Sequence, residues 1–131
     1  MNDNRVYEDE HLFIEVHESE IPWLKVFTKK SYREFSDVPF KIKLQILAKL
    51  DIIERDMLSY FNPTKINIAS FGNELPQVHF HIMARFEDDE CFPNPMWGEK
   101  LRESKSYIAD FDKFLKTLLP KLEPVVLEDE D

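Results

Sequence analysis

The residues best suited to chemistry near neutral pH are two histidines one residue apart, His79 and His81, in the segment GNELPQVHFHIMARF (72–86). Apolar residues alternate through this segment, which predicts a β-strand whose successive side chains point to opposite faces. The wholly apolar face, which we assign to the core, carries Val78, Phe80, Ile82 and Ala84. The opposite face carries Gln77, His79, His81, Met83 and Arg85. The histidines therefore avoid the predicted core.

The spacing of this histidine pair is compatible with three uses. Imidazoles two residues apart on a strand stand ~7 Å apart on one face, so the pair could bind a metal ion. Zinc would need one or two more ligands; Cys91 and the acidic residues 88–90 follow the strand, but no second histidine or cysteine cluster has ligand-like spacing. The other two uses are catalysis and packing of both rings beneath another element.

Further alternating patterns predict the strands that accompany the histidine strand. Residues 11–19 and 23–30 predict a hairpin, and residues 65–71 predict a strand joined to the histidine strand by the turn GNEL. Hairpin-linked strands with helices between them are typical of an antiparallel sheet in an α+β domain.

Apolar residues at helical spacing predict two helices. A long helix is predicted within residues 36–63, where Ser36 or Asp37 can cap its start and Asn62-Pro63 ends it. A second amphipathic helix is predicted within residues 104–124. The stripe of the first contains Ile42, Ile46, Leu50, Ile53 and Met57, and that of the second contains Tyr107, Ile108, Phe111, Leu115, Leu118 and Leu119.

Composition limits the number of domains and the kinds of partner. The chain has 131 residues, 43% of them hydrophobic, which fits one domain; we assign it to residues 11–122, between acidic tails at 1–10 and 123–131. A net charge of −9 argues against binding to long nucleic acid, although a small phosphorylated ligand needs only local donors. No run approaches the ~20 apolar residues of a membrane span. The single cysteine and the acidic, signal-free start lead us to expect a cytoplasmic protein.

The histidine segment together with FPNPMWG (92–98) resembles the histidine triad (HIT) superfamily of nucleotide hydrolases and transferases. The family pattern is His-φ-His-φ-His-φ-φ, where φ is apolar, and residues 77–83 read Gln-Val-His-Phe-His-Ile-Met. Most of residues 11–120 is similar to a bacterial, diadenosine tetraphosphate hydrolase-like branch with glutamine in the first position. The resemblance implies a HIT-like antiparallel sheet of about five strands, a long helix between strand pairs and a C-terminal helix. It also implies a homodimer built by extending the sheet across two chains.

The resemblance implies a role for each site residue. His79 matches the nucleophile, which attacks the α-phosphorus of a nucleotide and forms a nucleotidyl-histidine that water cleaves. His81 matches the histidine that contacts the phosphate and the leaving group. Gln77 stands at the first triad position, where the family histidine supports the others through hydrogen bonds. Gly72 and Asn73 match a turn that contacts phosphate.

Three more residues are candidate substrate contacts, each with a simpler alternative. Asn67 is predicted to contact ribose or phosphate, or to be a half-exposed strand residue. Arg85 could assist a distal phosphate, or pair with an acidic residue at 87 or 88. Trp97 could cover the site, join a subunit contact or anchor its loop.

The leading hypothesis is a HIT-type hydrolase of nucleoside polyphosphates or phosphoramidates. Attack requires an unprotonated nitrogen on His79, whose other nitrogen is held by a hydrogen bond, for which a carbonyl of strand 65–71 is the expected partner. No metal is required, although Mg²⁺ could accompany a polyphosphate. The second hypothesis is a nucleotide-binding module with little or no turnover, because Gln77 cannot titrate near neutrality. The third is a metal-binding protein that uses His79, His81 and Cys91.

Overall fold

The computed structural model describes residues 4–124. Its strands are β1 (Arg5–Glu8), β2 (Leu12–Val16), β3 (Trp23–Thr28), β4 (Lys65–Ala69) and β5 (His79–Arg85), and its α-helices are α1 (Phe40–Phe61) and α2 (Phe111–Leu118). The five strands form one antiparallel sheet in the order β1-β2-β3-β5-β4. The predicted α+β class, with a long helix and a C-terminal helix, is confirmed. Within the described residues, no helix has the length and apolar composition to cross a membrane.

Helix α1 covers one face of the sheet and buries its predicted stripe. Each stripe residue keeps 8% or less of its surface exposed. The helix packs on β3, β4 and β5, and Val78, Ile82 and Ala84 belong to the same buried cluster. Burying one such aliphatic side chain is worth ~1.5–3 kcal/mol, so this layer decides which face of β5 lies inside. Helix α1 ends at Phe61, and its C-cap residue Asn62 takes a left-handed conformation with φ of 50° before Pro63.

The beginning of the chain corrects the prediction of a solvated tail at residues 1–10. Residues 5–8 form the edge strand β1, and the Tyr7 hydroxyl lies 2.5 Å from the Leu122 carbonyl oxygen and 2.7 Å from Asp9. Asp9 also lies 3.2 Å from the buried ammonium of Lys49 on α1. Leu122 and Lys49 are distant in sequence from residues 5–9, so the short charged segment gave no local sign of the contacts with them. Most of the predicted tail at 123–131 lies outside the described residues.

The C-terminal helix is shorter than predicted. Helix α2 begins at Phe111, whereas Tyr107 lies in the preceding loop, stacked on Phe86 with ring centroids 3.8 Å apart. The Tyr107 backbone N–H donates to the Glu20 carbonyl, which holds this loop against the turn between β2 and β3. Tyr107 therefore anchors this loop, and Ile108 is exposed. Neither residue extends the helical stripe.

Strand register arranges the face opposite α1 into rows of side chains. Directly paired residues share a face, so Phe13, Phe27 and His79 form one row across β2, β3 and β5. We call this the aromatic row. The next row, which we call the charged row, consists of Glu15, Lys25 and His81. Beyond it, Trp23 lies opposite Met83. The histidine strand thus receives partners from β3 at every second residue.

Candidate active site

A pocket of about 640 Å³ opens over this second face of the sheet. Its lining consists of His17, Lys25, Phe27, Phe71, Gly72, Asn73, Glu74, Leu75, His79, His81 and Trp97. The imidazole centroids of His79 and His81 are 5.2 Å apart, and each residue keeps 8% of its surface exposed. Both histidines therefore border a cavity of the size that small-molecule ligands occupy, and not the apolar core.

His79 has one ring nitrogen committed to the backbone. Nδ1 lies 2.7 Å from the carbonyl oxygen of Gln77. Because a carbonyl can only accept, Nδ1 carries the proton, and the Nε2 lone pair on the opposite edge of the ring remains available. The carbonyl that accepts this hydrogen bond belongs to Gln77, two residues before His79 and just ahead of β5, and not to strand 65–71 as predicted. The ring also stacks on Phe27 at 4.9 Å, which fixes its plane.

The neutral His81 ring is the opposite tautomer to that of His79. The Trp23 indole N–H donates to His81 Nδ1 at 3.0 Å. An indole nitrogen can only donate, so Nδ1 is unprotonated and the neutral ring carries its proton on Nε2. Burial is the main cause of a lowered pKa of His81, about 4 instead of 6.5. The neighbouring groups His79, Lys25 and His17 lower this pKa further. At neutral pH His81 is therefore an uncharged N–H donor.

Gln77, predicted as a catalytic residue, does not line the pocket with its side chain. Its amide Nε2–H donates to the Thr28 carbonyl at 2.9 Å, and its backbone carbonyl accepts from His79. Gln77 thus ties the start of β5 to the end of β3. Its contribution to the site is to position His79 through the main chain.

The loop between β4 and β5 forms one wall of the pocket. Gly72 and Asn73 line it, where the resemblance placed a phosphate-contacting turn. Gly72 has φ of 119°, a conformation that side-chain-bearing residues rarely adopt. The Ser70 hydroxyl donates to the His79 carbonyl at 2.7 Å, which joins the loop to the histidine strand.

Trp97, from the loop after β5, also lines the pocket. It is 49% exposed, and its ring lies 4.8 Å from His81 and 4.8 Å from Phe71. Trp97 therefore borders the site, and its predicted roles as a cover and as a subunit contact stay predictions. Trp97 and Phe71 present exposed aromatic surface beside the imidazoles.

Arg85 and Asn67 lie away from the pocket, in contrast to the predicted substrate contacts. Arg85 is 2% exposed and makes two hydrogen bonds to Asp89, at 2.8 and 3.1 Å. It also donates to the Asn67 side chain and to the Asn94 carbonyl. Its acidic partner is therefore Asp89, and not residue 87 or 88. The buried ion pair shapes the loop that carries Trp97, and Asn67 borders a smaller neighbouring cavity of about 320 Å³.

The metal-binding alternative is not formed by the described residues. Cys91 is buried beneath the loop after β5, with Sγ 3.9 Å from the carbonyl oxygens of Met96 and Gly98. Burial raises the pKa of its thiol. In the described part of the chain, no group of three or more histidine, cysteine, aspartate or glutamate side chains is placed to hold a metal ion. The described residues therefore do not bring His79, His81 and Cys91 together as a set of metal ligands.

Sequence reasoning missed three pocket residues on the β2–β3 hairpin. They are His17, Lys25 and Phe27. The His17 ring lies against the Trp23 ring in a tilted arrangement, with ring centroids 4.0 Å apart. Burial, with a smaller effect of Lys25, lowers the pKa of His17. Alternation along β3 could have placed Lys25 and Phe27 on one face, but only the register with β5 shows which face of the histidine strand they join.

Comparisons with known proteins agree with this geometry. Residues 1–88 match the model of the HIT domain. The chain belongs to the HIT domain family. The matched part includes all five strands, α1 and both histidines, and it ends before the loop of Trp97. Membership of the HIT family supports a nucleotide-binding or nucleotide-hydrolysing function.

Individual HIT proteins resemble the chain over most of its length. An uncharacterised HIT-like protein of Methanocaldococcus jannaschii is 28% identical over 125 residues, with 86% of each chain covered. Crystal structures of histidine triad proteins from Bradyrhizobium japonicum and Marinobacter aquaeolei VT8 are each 24% identical, with TM-scores of 0.74 and 0.75. They cover 89% and 92% of this chain, and 92% of each solved chain is matched. These two structures share the α+β fold.

Proposed function

We propose that this HIT protein is a nucleotide hydrolase that cleaves at the α-phosphate of a nucleoside polyphosphate, such as diadenosine tetraphosphate, or of a nucleoside phosphoramidate. The observation that carries the proposal is the pair of opposite tautomers in one pocket. His79 presents a lone pair on Nε2, and His81 presents an N–H on Nε2. One ring suits attack on phosphorus, and the other suits donation to a phosphate oxygen.

The reaction has two displacements. In the first, the His79 Nε2 lone pair forms a bond to the α-phosphorus while the bond from phosphorus to the leaving group breaks, and the bonding electrons depart with that group. An amine leaving group also takes up a proton from solvent as it departs. His81 donates a hydrogen bond to the oxygen on which charge develops, and donors of the Gly72–Asn73 turn lie on the same pocket. In the second, water attacks phosphorus, His79 departs with its electron pair, and the proton of water passes to solvent. This histidine chemistry requires no metal, and Mg²⁺ would arrive bound to a polyphosphate substrate.

The position of Gln77 favours the hydrolase over a binding module without turnover. The group that orients His79 is the backbone carbonyl of residue 77, which is present whatever its side chain. The Gln77 amide is engaged with Thr28 on β3. Replacing a histidine by glutamine at this position therefore leaves the nucleophile held in its reactive tautomer.

A turnover assay with an adduct search tests the proposal. The protein is incubated with diadenosine polyphosphates and with adenosine phosphoramidate, and the products are separated. The reaction is stopped at neutral pH, and the mass of the intact protein is measured by mass spectrometry. We expect product and a nucleotidyl adduct on His79, and we expect His79→Ala to lower turnover at least ~10³-fold. His11→Ala, at an exposed histidine outside the pocket, is the matched control and should keep full activity.

The outcomes separate the two hypotheses. Binding without turnover in the unaltered protein would support the nucleotide-binding module. Turnover that survives in His79→Ala would refute the assigned nucleophile, and absence of both binding and turnover would reject both functions.

We further propose a homodimer joined through β4. This strand lies at an edge of the sheet, so its outer backbone groups have no partner strand within the described residues, and Ile68 on it is 44% exposed. Sedimentation of the unaltered protein should give twice the chain mass. An Ile68→Lys variant should sediment as a monomer, whereas a monomeric unaltered protein would reject this assembly.

A further inference from the structure

We propose that Lys25 binds the leaving group and thereby selects substrates that release a phosphate chain over substrates that release an amine. This inference rests on the proposed hydrolase function and deepens it, since it assigns a substrate class and a residue that determines it.

The position of Lys25 in the charged row supports the proposal. Lys25 lies on β3 directly opposite His81 on β5 and lines the pocket, with 22% of its side chain exposed. Its positive charge lowers the pKa of both His81 and His17, so its ammonium acts on the two imidazoles that flank it. Glu15, the other member of the row, forms an ion pair with Lys25, and its carboxylate lies 3.9 Å from the ammonium, a separation longer than a direct hydrogen bond. The ammonium therefore has donor capacity left for a ligand.

Lys25 supplies the positive charge of the pocket. Among the described residues that line the pocket, Lys25 is the one with a permanent positive charge, while Glu74 adds a carboxylate. His81 is uncharged at neutral pH, and the Arg85 guanidinium is engaged with Asp89 outside the pocket. The chain as a whole carries a net charge of −9. The Lys25 ammonium is therefore the group that attracts the negatively charged phosphate chain of a substrate in this pocket.

The direction of the reaction places the leaving group on the side of His81. The leaving group departs roughly in line with and opposite to the attacking His79 nitrogen. His81 is the pocket donor adjacent to His79 along β5, and Lys25 lies next to His81 across the strand pair. A chain of phosphates that passes His81 therefore extends toward the Lys25 ammonium.

The two kinds of leaving group are stabilised in different ways. When an anhydride breaks, the electron pair leaves on a phosphate oxygen, and the departing group is an anion that a cation stabilises. When a phosphoramidate breaks, the electron pair leaves on nitrogen, and the departing amine needs a proton. Lys25 supplies positive charge and therefore favours the anhydride.

The experiment compares two substrates and three variants at pH 8, where His81 stays neutral even without the Lys25 charge. We expect Lys25→Gln to lower kcat/KM for diadenosine tetraphosphate by about 10- to 100-fold, the usual value of a hydrogen bond to a charged group. Its kcat/KM for adenosine phosphoramidate should change less than about threefold. Lys25→Arg, which keeps the charge, should retain the preference for the tetraphosphate. Lys30→Gln, an exposed lysine outside the pocket, controls for the loss of one charge.

Each outcome decides the proposal. Equal losses for both substrates would overturn it, because Lys25 would then act on the common α-phosphate or on the fold, and an unchanged ratio in Lys25→Gln would overturn it as well. If the unaltered protein cleaves neither substrate, the proposed function fails, and binding measured by calorimetry decides the inference. In that case Lys25→Gln must weaken the binding of diadenosine tetraphosphate about tenfold more than the binding of adenosine monophosphate. Absence of any binding would overturn both.

Discussion

The stability of the fold should fall as the pH drops from 6.5 to 4, because His81 is held in its neutral form. Burial, together with its neighbours, lowers the pKa of His81 to about 4, whereas in the unfolded chain the ring returns to 6.5. Between these values the unfolded chain binds more protons than the folded chain, so the free energy of unfolding decreases as pH falls. The penalty is absent above pH 6.5 and complete below pH 4.

The two pKa values set the size of this effect. Their difference of about 2.5 corresponds to ~3 kcal/mol once the pH lies below both. That is a large share of the ~5–15 kcal/mol that stabilises a typical domain. His17, whose pKa burial and Lys25 also lower, adds a penalty of the same sign. A comparison between variants is therefore needed to isolate His81.

Urea unfolding at pH 7.5 and pH 4.5 measures the effect in the unaltered protein and in His81→Gln. Glutamine can still accept the Trp23 N–H but does not titrate. The unaltered protein should lose about 2 kcal/mol more than His81→Gln between the two pH values. His11→Gln, at an exposed histidine, should behave like the unaltered protein. Equal losses in all three proteins would show that the folded structure does not lower the pKa of His81.

Three further predictions concern the supports of the site. Asp89→Asn should lower the free energy of unfolding by ~3–5 kcal/mol in urea, because it leaves the Arg85 charge buried without its partner. Tyr7→Phe should cost ~1–2 kcal/mol in the same assay, because it removes the hydrogen bond from β1 to the Leu122 carbonyl. Gly72→Ala should reduce kcat/KM about tenfold and stability by ~1 kcal/mol, since alanine is strained at φ of 119° and the loop must shift.

Controls separate these effects from general disturbance. Asp88→Asn changes the neighbouring, exposed carboxylate and should cost less than ~1 kcal/mol. Tyr32→Phe, on a half-buried tyrosine away from β1, should also cost less than Tyr7→Phe. A Gly72→Ala variant with unchanged activity would contradict the prediction, because it would show that the loop between β4 and β5 can take a different backbone path without affecting catalysis.

Local periodicity was sufficient for much of the fold. Alternation along residues 76–86 placed Ile82 in the core and His79 with His81 on the other face, and the structure agrees. Helical spacing identified the buried stripe of α1, and Asn62-Pro63 marked its end. These features are readable because they depend on residues close to one another in the chain.

Contacts between distant segments decided the chemistry of the site. The register of β3 against β5 places Lys25 beside His81 and Phe27 under His79, and a slip of one residue would turn these side chains to the other face. The Trp23 indole that sets the tautomer of His81 is 58 residues away from it in sequence. Composition and spacing thus determined which residues could do chemistry and on which face they lie. Their protonation and partners were decided only when folding paired strands whose mutual alignment no local pattern encodes.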